Sequence, residues 1–206
     1  MKQNQPQVAG KVLKNSASEE TSFSRRNFLI FSVTALLVSS VIGKAVAATL
    51  TTAKQIQSVL IEKFSNTGKS EGIMRMPKVI KTDAEWHKQL PYESYQVARQ
   101  AGTEAPFTGK YWNNHATGMY RCICCDTPLF DSKTKFESGT GWPSFWQPIA
   151  PQNVTKSEDN SLGMQRDEIT CSVCDGHLGH VFNDGPKPSG LRYCMNSVSL
   201  RFVPHA

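Results

Sequence analysis

Leu191-Arg192-Tyr193-Cys194-Met195-Asn196-Ser197-Val198-Ser199-Leu200-Arg201-Phe202 reads as a β-strand, because its side chains sort alternately onto two faces. The even positions put Arg192, Cys194 and Asn196 at one end of a face and Val198, Leu200 and Phe202 at the other. The second trio is core material. The first sets a thiol between a permanent cation and an amide. A free thiol, with a pKa of about 8.5, is only a few per cent thiolate at neutral pH. A neighbouring guanidinium favours the anion and lowers that pKa. The stretch is therefore read as one long strand carrying an activated cysteine nucleophile. The bland counterpart is a small buried hydrophobe, since unpaired Cys is among the most buried residue types.

Upstream of this strand the texture is the same from Phe107 onward. Short aromatic and β-branched runs alternate with Gly, Pro, Asn and Asp: Lys110-Tyr111-Trp112, Gly118-Met119-Tyr120-Arg121, Lys135-Phe136 and Ile169-Thr170. That is the pattern of a small antiparallel β domain.

The other five of the six cysteines are Cys122, Cys124, Cys125, Cys171 and Cys174. Cys122-x-x-Cys125 and Cys171-x-x-Cys174 are knuckles in which two thiolates from one tight turn face the same ion. Together they supply the four sulfurs of a tetrahedral structural zinc site, one per chain; redox pairs and disulfides are the alternatives. Cys122 is preferred to Cys124 as a ligand because only Cys122 has the two-residue spacing to Cys125. Cys124 and Cys194 are then left over.

His177-Leu178-Gly179-His180 follows the second knuckle, and a Gly/Pro-rich turn from Asn183 to Gly190 separates it from Cys194. A hairpin return across that turn would bring His177 and His180 beside the thiol, where imidazoles can supply a proton near neutral pH. Taken singly, each is an ordinary surface or core histidine. Gly141-Trp142-Pro143-Ser144-Phe145-Trp146 is either a core corner or an aromatic wall for an apolar group.

Toward the N-terminus, Asp83 to Leu90 and the stretch after Pro91 read as short helices, the second stopped by Gly102. Thr51 to Phe64 carries Ile56, Val59, Leu60 and Phe64 at helical spacing, so residues 48–80 read as a helical extension and linker. Residues 1–47 read as a leader. Arg25-Arg26 precede an apolar run from Phe28 to Ile42, and Ala45-Val46-Ala47 offers a small-residue cleavage pattern. The arginine pair resembles a twin-arginine export signal with cleavage near Ala47 and a periplasmic destination; an uncleaved membrane anchor is the alternative.

The formal net charge is +6, but six of the 23 basic residues and two of the 17 acidic ones precede Ala48. The remainder has 17 basic against 15 acidic residues, so +2. A near-neutral domain gives no electrostatic reason to expect nucleic acid, and contact with a membrane is expected only through the leader. A monomer is expected.

These pieces together resemble the methionine-R-sulfoxide reductase family, the B type, over about residues 81–202. The matching segments include Gly102-Thr103-Glu104-Ala105-Pro106-Phe107-Thr108-Gly109, Gly118-Met119-Tyr120-Arg121-Cys122, Gly141-Trp142-Pro143-Ser144-Phe145, Cys171-Ser172-Val173-Cys174, His177-Leu178-Gly179-His180-Val181-Phe182 and Gly190-Leu191-Arg192-Tyr193-Cys194-Met195-Asn196-Ser197. The resemblance implies a mainly β fold of two small antiparallel sheets, short N-terminal helices and a structural zinc site in residues 81–206. It implies Cys194 as nucleophile, with His177, His180, Arg192, Asp184 and Asn196 in the catalytic constellation and Trp142 holding the substrate methyl group. Oxidised proteins are the implied substrate, and a thioredoxin-like or other thiol the implied reductant.

Many members carry a resolving cysteine where this chain has Thr140. Regeneration by an external thiol is therefore expected, with Cys124 as the alternative resolving residue. A non-enzymatic exported zinc-knuckle binding module is the competing reading; it explains four cysteines but not Arg192, Cys194, Asn196 or the histidine pair.

Overall fold

The computed structural model of the chain describes residues 57–160 and 165–206. The leader, with its arginine pair and cleavage pattern, lies outside the described residues.

The first elements are β1 (Ser58–Phe64) and β2 (Ser70–Pro77), an antiparallel hairpin. This corrects the helical reading of the extension over residues 58–64. A run this short fits a period of 3.6 and a period of 2 about equally, and the partner strand decides between them. The exposures follow the strand: Ile61 is 2% exposed while Leu60 beside it is 51% exposed. Ser65 to Gly68 is the hairpin turn, with Gly68 at φ 77° and its N–H on Ser65 O at 3.0 Å.

Helices α1 (Asp83–Gln89) and α2 (Tyr92–Ala98) stand where the sequence places them. Thr82 and Glu85 form a reciprocal capping box at the start of α1, and Pro91 precedes α2. The remaining strands are β3 (Gly118–Cys122), β4 (Pro128–Asp131), β5 (Lys135–Phe136), β6 (Ser144–Phe145), β7 (Val154–Asp159), β8 (Arg166–Cys171), β9 (His177–Phe182), β10 (Arg192–Met195) and β11 (Leu200–Pro204). They make two antiparallel sheets, one ordered β5-β6-β10-β9-β8-β7 and one ordered β11-β3-β4. The mainly β class with two sheets and short N-terminal helices is observed, and the hairpin adds a third, two-stranded sheet. The core lies where Tyr120 and Phe130 of the smaller sheet meet Phe145 of the larger. Phe130 and Phe145 stack with centroids 4.4 Å apart.

Two expectations fail locally. Lys110-Tyr111-Trp112 is a series of turns rather than a strand, with Tyr111 N–H held by Ser197 Oγ at 3.1 Å. The decisive stretch is not one strand either. It breaks at Asn196, passes through a 3-10 turn at Ser197–Ser199 and enters the other sheet. The cause is Glu104. Its carboxylate accepts Ser197 N–H at 2.7 Å and Val198 N–H at 3.0 Å, so these donors have a partner other than a neighbouring strand. Asn196 fixes the corner by donating to Leu178 O at 3.1 Å and accepting Glu104 N–H at 3.0 Å. Cys194 therefore belongs to the six-stranded sheet, and Leu200 and Phe202 to the three-stranded one.

Candidate active site and metal centre

The turn from Asn183 to Gly190 returns β10 antiparallel to β9, and the register sets Cys194 directly opposite His180. On its other side Cys194 faces Ser144 of β6, and His180 in turn faces Glu168 of β8. Directly opposed residues share a face, so Ser144, Cys194, His180 and Glu168 form one row across four strands. His177, three residues from His180, would ordinarily point to the opposite face. A register slip between Ile169 and Thr170 re-aims it, and the two imidazole centroids stand 5.3 Å apart. Gly179 between them lets the strands close: a Cβ there would stand 2.1 Å from Cys194 O.

Each histidine has a carboxylate behind it. His177 Nδ1 donates to Glu168 Oε1 at 2.6 Å, and His180 Nε2 to Asp159 Oδ2 at 2.9 Å. Arg166 Nη2 meets the same Asp159 oxygen at 2.8 Å. Burial lowers the His177 pKa and outweighs Glu168, which favours the charged ring. His177 Nε2 is buried without a hydrogen-bond partner among the described residues.

Cys194 opens into a cavity of about 140 Å³ lined also by Thr103, Trp142, Arg166, Gly179, His180, Phe182 and Asn196. Trp142 is fixed by its indole N–H on Glu104 O at 3.1 Å. Of the predicted residues, Cys194, His180, Asn196 and Trp142 line the cavity, and His177 lies behind His180. Arg192 and Asp184 form a two-pronged ion pair, 2.9 Å at each contact, and Arg192 stacks 4.5 Å from the Phe182 ring centroid. Thr103, Glu104, Asp159, Arg166 and Glu168 are the site residues that sequence reasoning missed.

The electrostatics correct one expectation. Arg192 does favour the Cys194 thiolate, as does a hydrogen bond from Thr140, but burial is the larger effect and the thiol pKa is raised. Asp184 contributes by placing a negative charge near the same sulfur. Alkylation of Cys194 by iodoacetamide should accordingly rise through neutral pH and reach half its maximum above the pKa of an ordinary cysteine. Arg192→Gln should push that midpoint higher still, since it removes the attraction that stabilises the thiolate. A midpoint below the ordinary value would contradict this picture.

The four knuckle sulfurs, of Cys122, Cys125, Cys171 and Cys174, lie within 4.8 Å of one another. Cys122 and Cys174 are 3.6 Å apart and Cys125 and Cys171 3.5 Å, too far for disulfide bonds, which need about 2.05 Å. A tetrahedral shell of zinc–sulfur bonds of about 2.3 Å sets sulfurs about 3.8 Å apart, so the set fits zinc. The two knuckles share one backbone design. Asp126 N–H returns to Cys122 O and Asp175 N–H to Cys171 O, each at 2.9 Å. Both aspartates are left-handed, at φ 63° and 56°, which Asp tolerates better than most residues. Cys124 is buried beside this cluster, with its thiol on Cys122 and Cys174. Thr140, by contrast, lies near enough to Cys194 to favour its thiolate.

A half-buried thiol opposed by a histidine, on a β fold in which four cysteine sulfurs converge, defines a thiol-dependent oxidoreductase. The SelR domain family matches residues 90–204. The "Peptide methionine sulfoxide reductase MsrB" of Herminiimonas arsenicoxydans is 61% identical over 125 residues, which is 61% of this chain and 91% of that protein. The protein of the same name from Agrobacterium fabrum is 56% identical over 128 residues, covering 62% of this chain and 95% of that one. "Peptide methionine sulfoxide reductase B1, chloroplastic" of Arabidopsis thaliana is 56% identical over 120 residues, 58% of this chain and 59% of its own length. The chain belongs to the SelR family of MsrB-type peptide methionine sulfoxide reductases.

Proposed function

We propose that the protein reduces the R form of methionine sulfoxide in oxidised proteins, with Cys194 as the nucleophile. The observation that carries this reading is the direct opposition of Cys194 and His180 at a cavity walled by Trp142 and Phe182. The R preference rests on family resemblance alone.

In the proposed reaction the sulfoxide methyl group lies against Trp142 and its oxygen toward His180. Cys194 passes its thiol proton to the free ring nitrogen of His180 as its sulfur bonds to the electrophilic sulfur of the substrate. His180, held by Asp159, delivers a proton to the sulfoxide oxygen, which makes sulfur a better electron acceptor. The buried Nε2 of His177, unpartnered among the described residues, offers a second proton station. The protonated oxygen then passes to the Cys194 sulfur as the substrate's sulfur–oxygen bond and the transient sulfur–sulfur bond both break, leaving methionine as the thioether and Cys194 as a sulfenic acid. No net proton or charge is taken up in the step.

Arg192 and Asn196 act by position. Asp184 holds Arg192, and Asn196 holds the corner between β9 and the Glu104 backbone. Cys122, Cys125, Cys171 and Cys174 would hold zinc, which when bound supplies a cross-link between the knuckles.

Two reducing equivalents must then return Cys194 to the thiol. We assign them to an external thiol reductant, thioredoxin-like or smaller, because Thr140, whose hydroxyl forms no disulfide, lies near Cys194, while the Cys124 sulfur sits beside that of Cys174 at the metal cluster. For the leader we propose twin-arginine export to the periplasm. Retention of the Arg25→Lys, Arg26→Lys chain in the cytoplasm would support this, and unchanged export would refute it.

The reading is tested with a peptide carrying both sulfoxide diastereomers, supplied with dithiothreitol or with thioredoxin and its reductase. Consumption of the R form alone, by wild type and Cys124→Ser alike under both reductants, is the expected result. Consumption of the S form, or thioredoxin-dependent turnover that vanishes in Cys124→Ser, would refute the stereochemical or the regeneration part respectively.

A further inference from the structure

The β1–β2 hairpin precedes the segment that matches the family, yet it is joined to both cysteine knuckles. On the first knuckle side, Arg121, next to Cys122, donates to Phe64 O and Asn66 Oδ1 at 3.4 Å and to Asp126 O at 3.2 Å. On the second, Val79, two residues past β2, donates its N–H to Val173 O at 2.8 Å, and Lys78 pairs with Asp175. Between them Asn153, fully buried, exchanges two 2.8 Å hydrogen bonds with the Glu62 backbone and donates to Pro128 O at 2.8 Å. The Asn153 carbonyl then accepts Ser172 N–H at 3.2 Å, inside the second knuckle. Ile61 anchors the hairpin in the core at 2% exposure.

The metal set itself has one accessible member. Cys122, Cys171 and Cys174 are at most 2% exposed, while Cys125 is half-buried. Cys125 opens into a cleft of about 490 Å³ whose other wall is the hairpin, with Ile61, Phe64 and Met76. Cys125 is thus the member of the tetrad that faces the cleft, and the hairpin is bonded to both knuckles beside it.

We propose that the β1–β2 hairpin is a strap that holds the metal in the four-cysteine site by slowing its release. An export-borne enzyme meeting oxidants gains from such a device, because a zinc thiolate site is lost once one sulfur is freed and oxidised. The inference rests on the zinc reading of the tetrad, so zinc content is measured first. A purified chain without about one zinc per molecule refutes that reading rather than the strap.

The test follows zinc transfer from the loaded full-length chain to excess 4-(2-pyridylazo)resorcinol by absorbance. Ile61→Asp removes the buried anchor, and Leu60→Asp puts the same charge on the exposed face of the same strand. Lys78→Glu sets like charge against Asp175 without touching the core, and it decides the matter if Ile61→Asp fails to fold. Release should quicken about tenfold in Ile61→Asp and Lys78→Glu and stay at the wild-type rate in Leu60→Asp, because local opening then limits escape. Hydrogen exchange at Glu62 N–H reports whether the hairpin has lifted. Wild-type release from a chain whose Glu62 amide has lost protection overturns the proposal, as does equal acceleration by Leu60→Asp.

Discussion

Cys194→Ser should lower turnover of (R)-methionine sulfoxide by at least about a thousandfold while leaving the fold in place. Oxygen and sulfur differ little in size, and Cys194 is half-buried between Ser144 and His180, so repacking is slight. The stability change should stay within about 1 kcal/mol. The chemical change is large. A serine hydroxyl ionises far less readily than a thiol, and it has no route to a sulfenic acid. Rates under saturating dithiothreitol, together with the thermal midpoint, check both halves. Residual activity within tenfold of wild type would move the nucleophile elsewhere.

The second large effect is on stability. Cys171→Ser should release zinc and lower the thermal midpoint by at least about 15 °C. Structural zinc contributes about 10 kcal/mol or more in small peptides, comparable with the whole stability of an ordinary domain at about 5–15 kcal/mol. For a domain of this size each kcal/mol shifts the midpoint by about 2–4 °C, so losing about three quarters of that contribution reaches the stated shift even at the lower figure. Cys171 is fully buried at the end of β8, and Cys122 ends β3 in the other sheet, so the tetrad cross-ties the two sheets near the core. Circular dichroism against temperature, with metal content measured on the same sample, reads the effect. Chelation of the wild type should give the same direction. A midpoint within a few degrees of wild type, with zinc retained, would mean that Cys171 is not a ligand.

The parts of this site that were legible in the sequence are those fixed by local spacing. Two C-x-x-C knuckles announce four converging sulfurs whatever the fold around them. The histidine pair and Cys194, separated by one turn-rich segment, announce a hairpin. What was illegible depends on partners far away along the chain. Glu168 and Asp159 reach their histidines only through the β7-β8-β9 register. Glu104 ends the strand after Met195 from more than ninety residues upstream. The hairpin was mistaken for a helix because one short apolar run does not reveal its pairing strand. The raised Cys194 pKa was missed because the sequence shows an adjacent cation and conceals both the burial and the bond that shares Arg192 with Asp184. The Cys-Asp pairs at 125–126 and 174–175 were a visible signal left unused: both aspartates close their knuckles in the left-handed conformation.

The central claim is that Cys194 takes the sulfoxide oxygen. The most direct measurement is a single turnover without reductant, one equivalent of (R)-sulfoxide peptide on zinc-loaded protein, followed by dimedone and peptide mass spectrometry. The account expects one methionine formed per chain and a dimedone adduct on the peptide bearing Cys194, with the knuckle cysteines unmodified. Methionine formed while Cys194 stays a free thiol would contradict it.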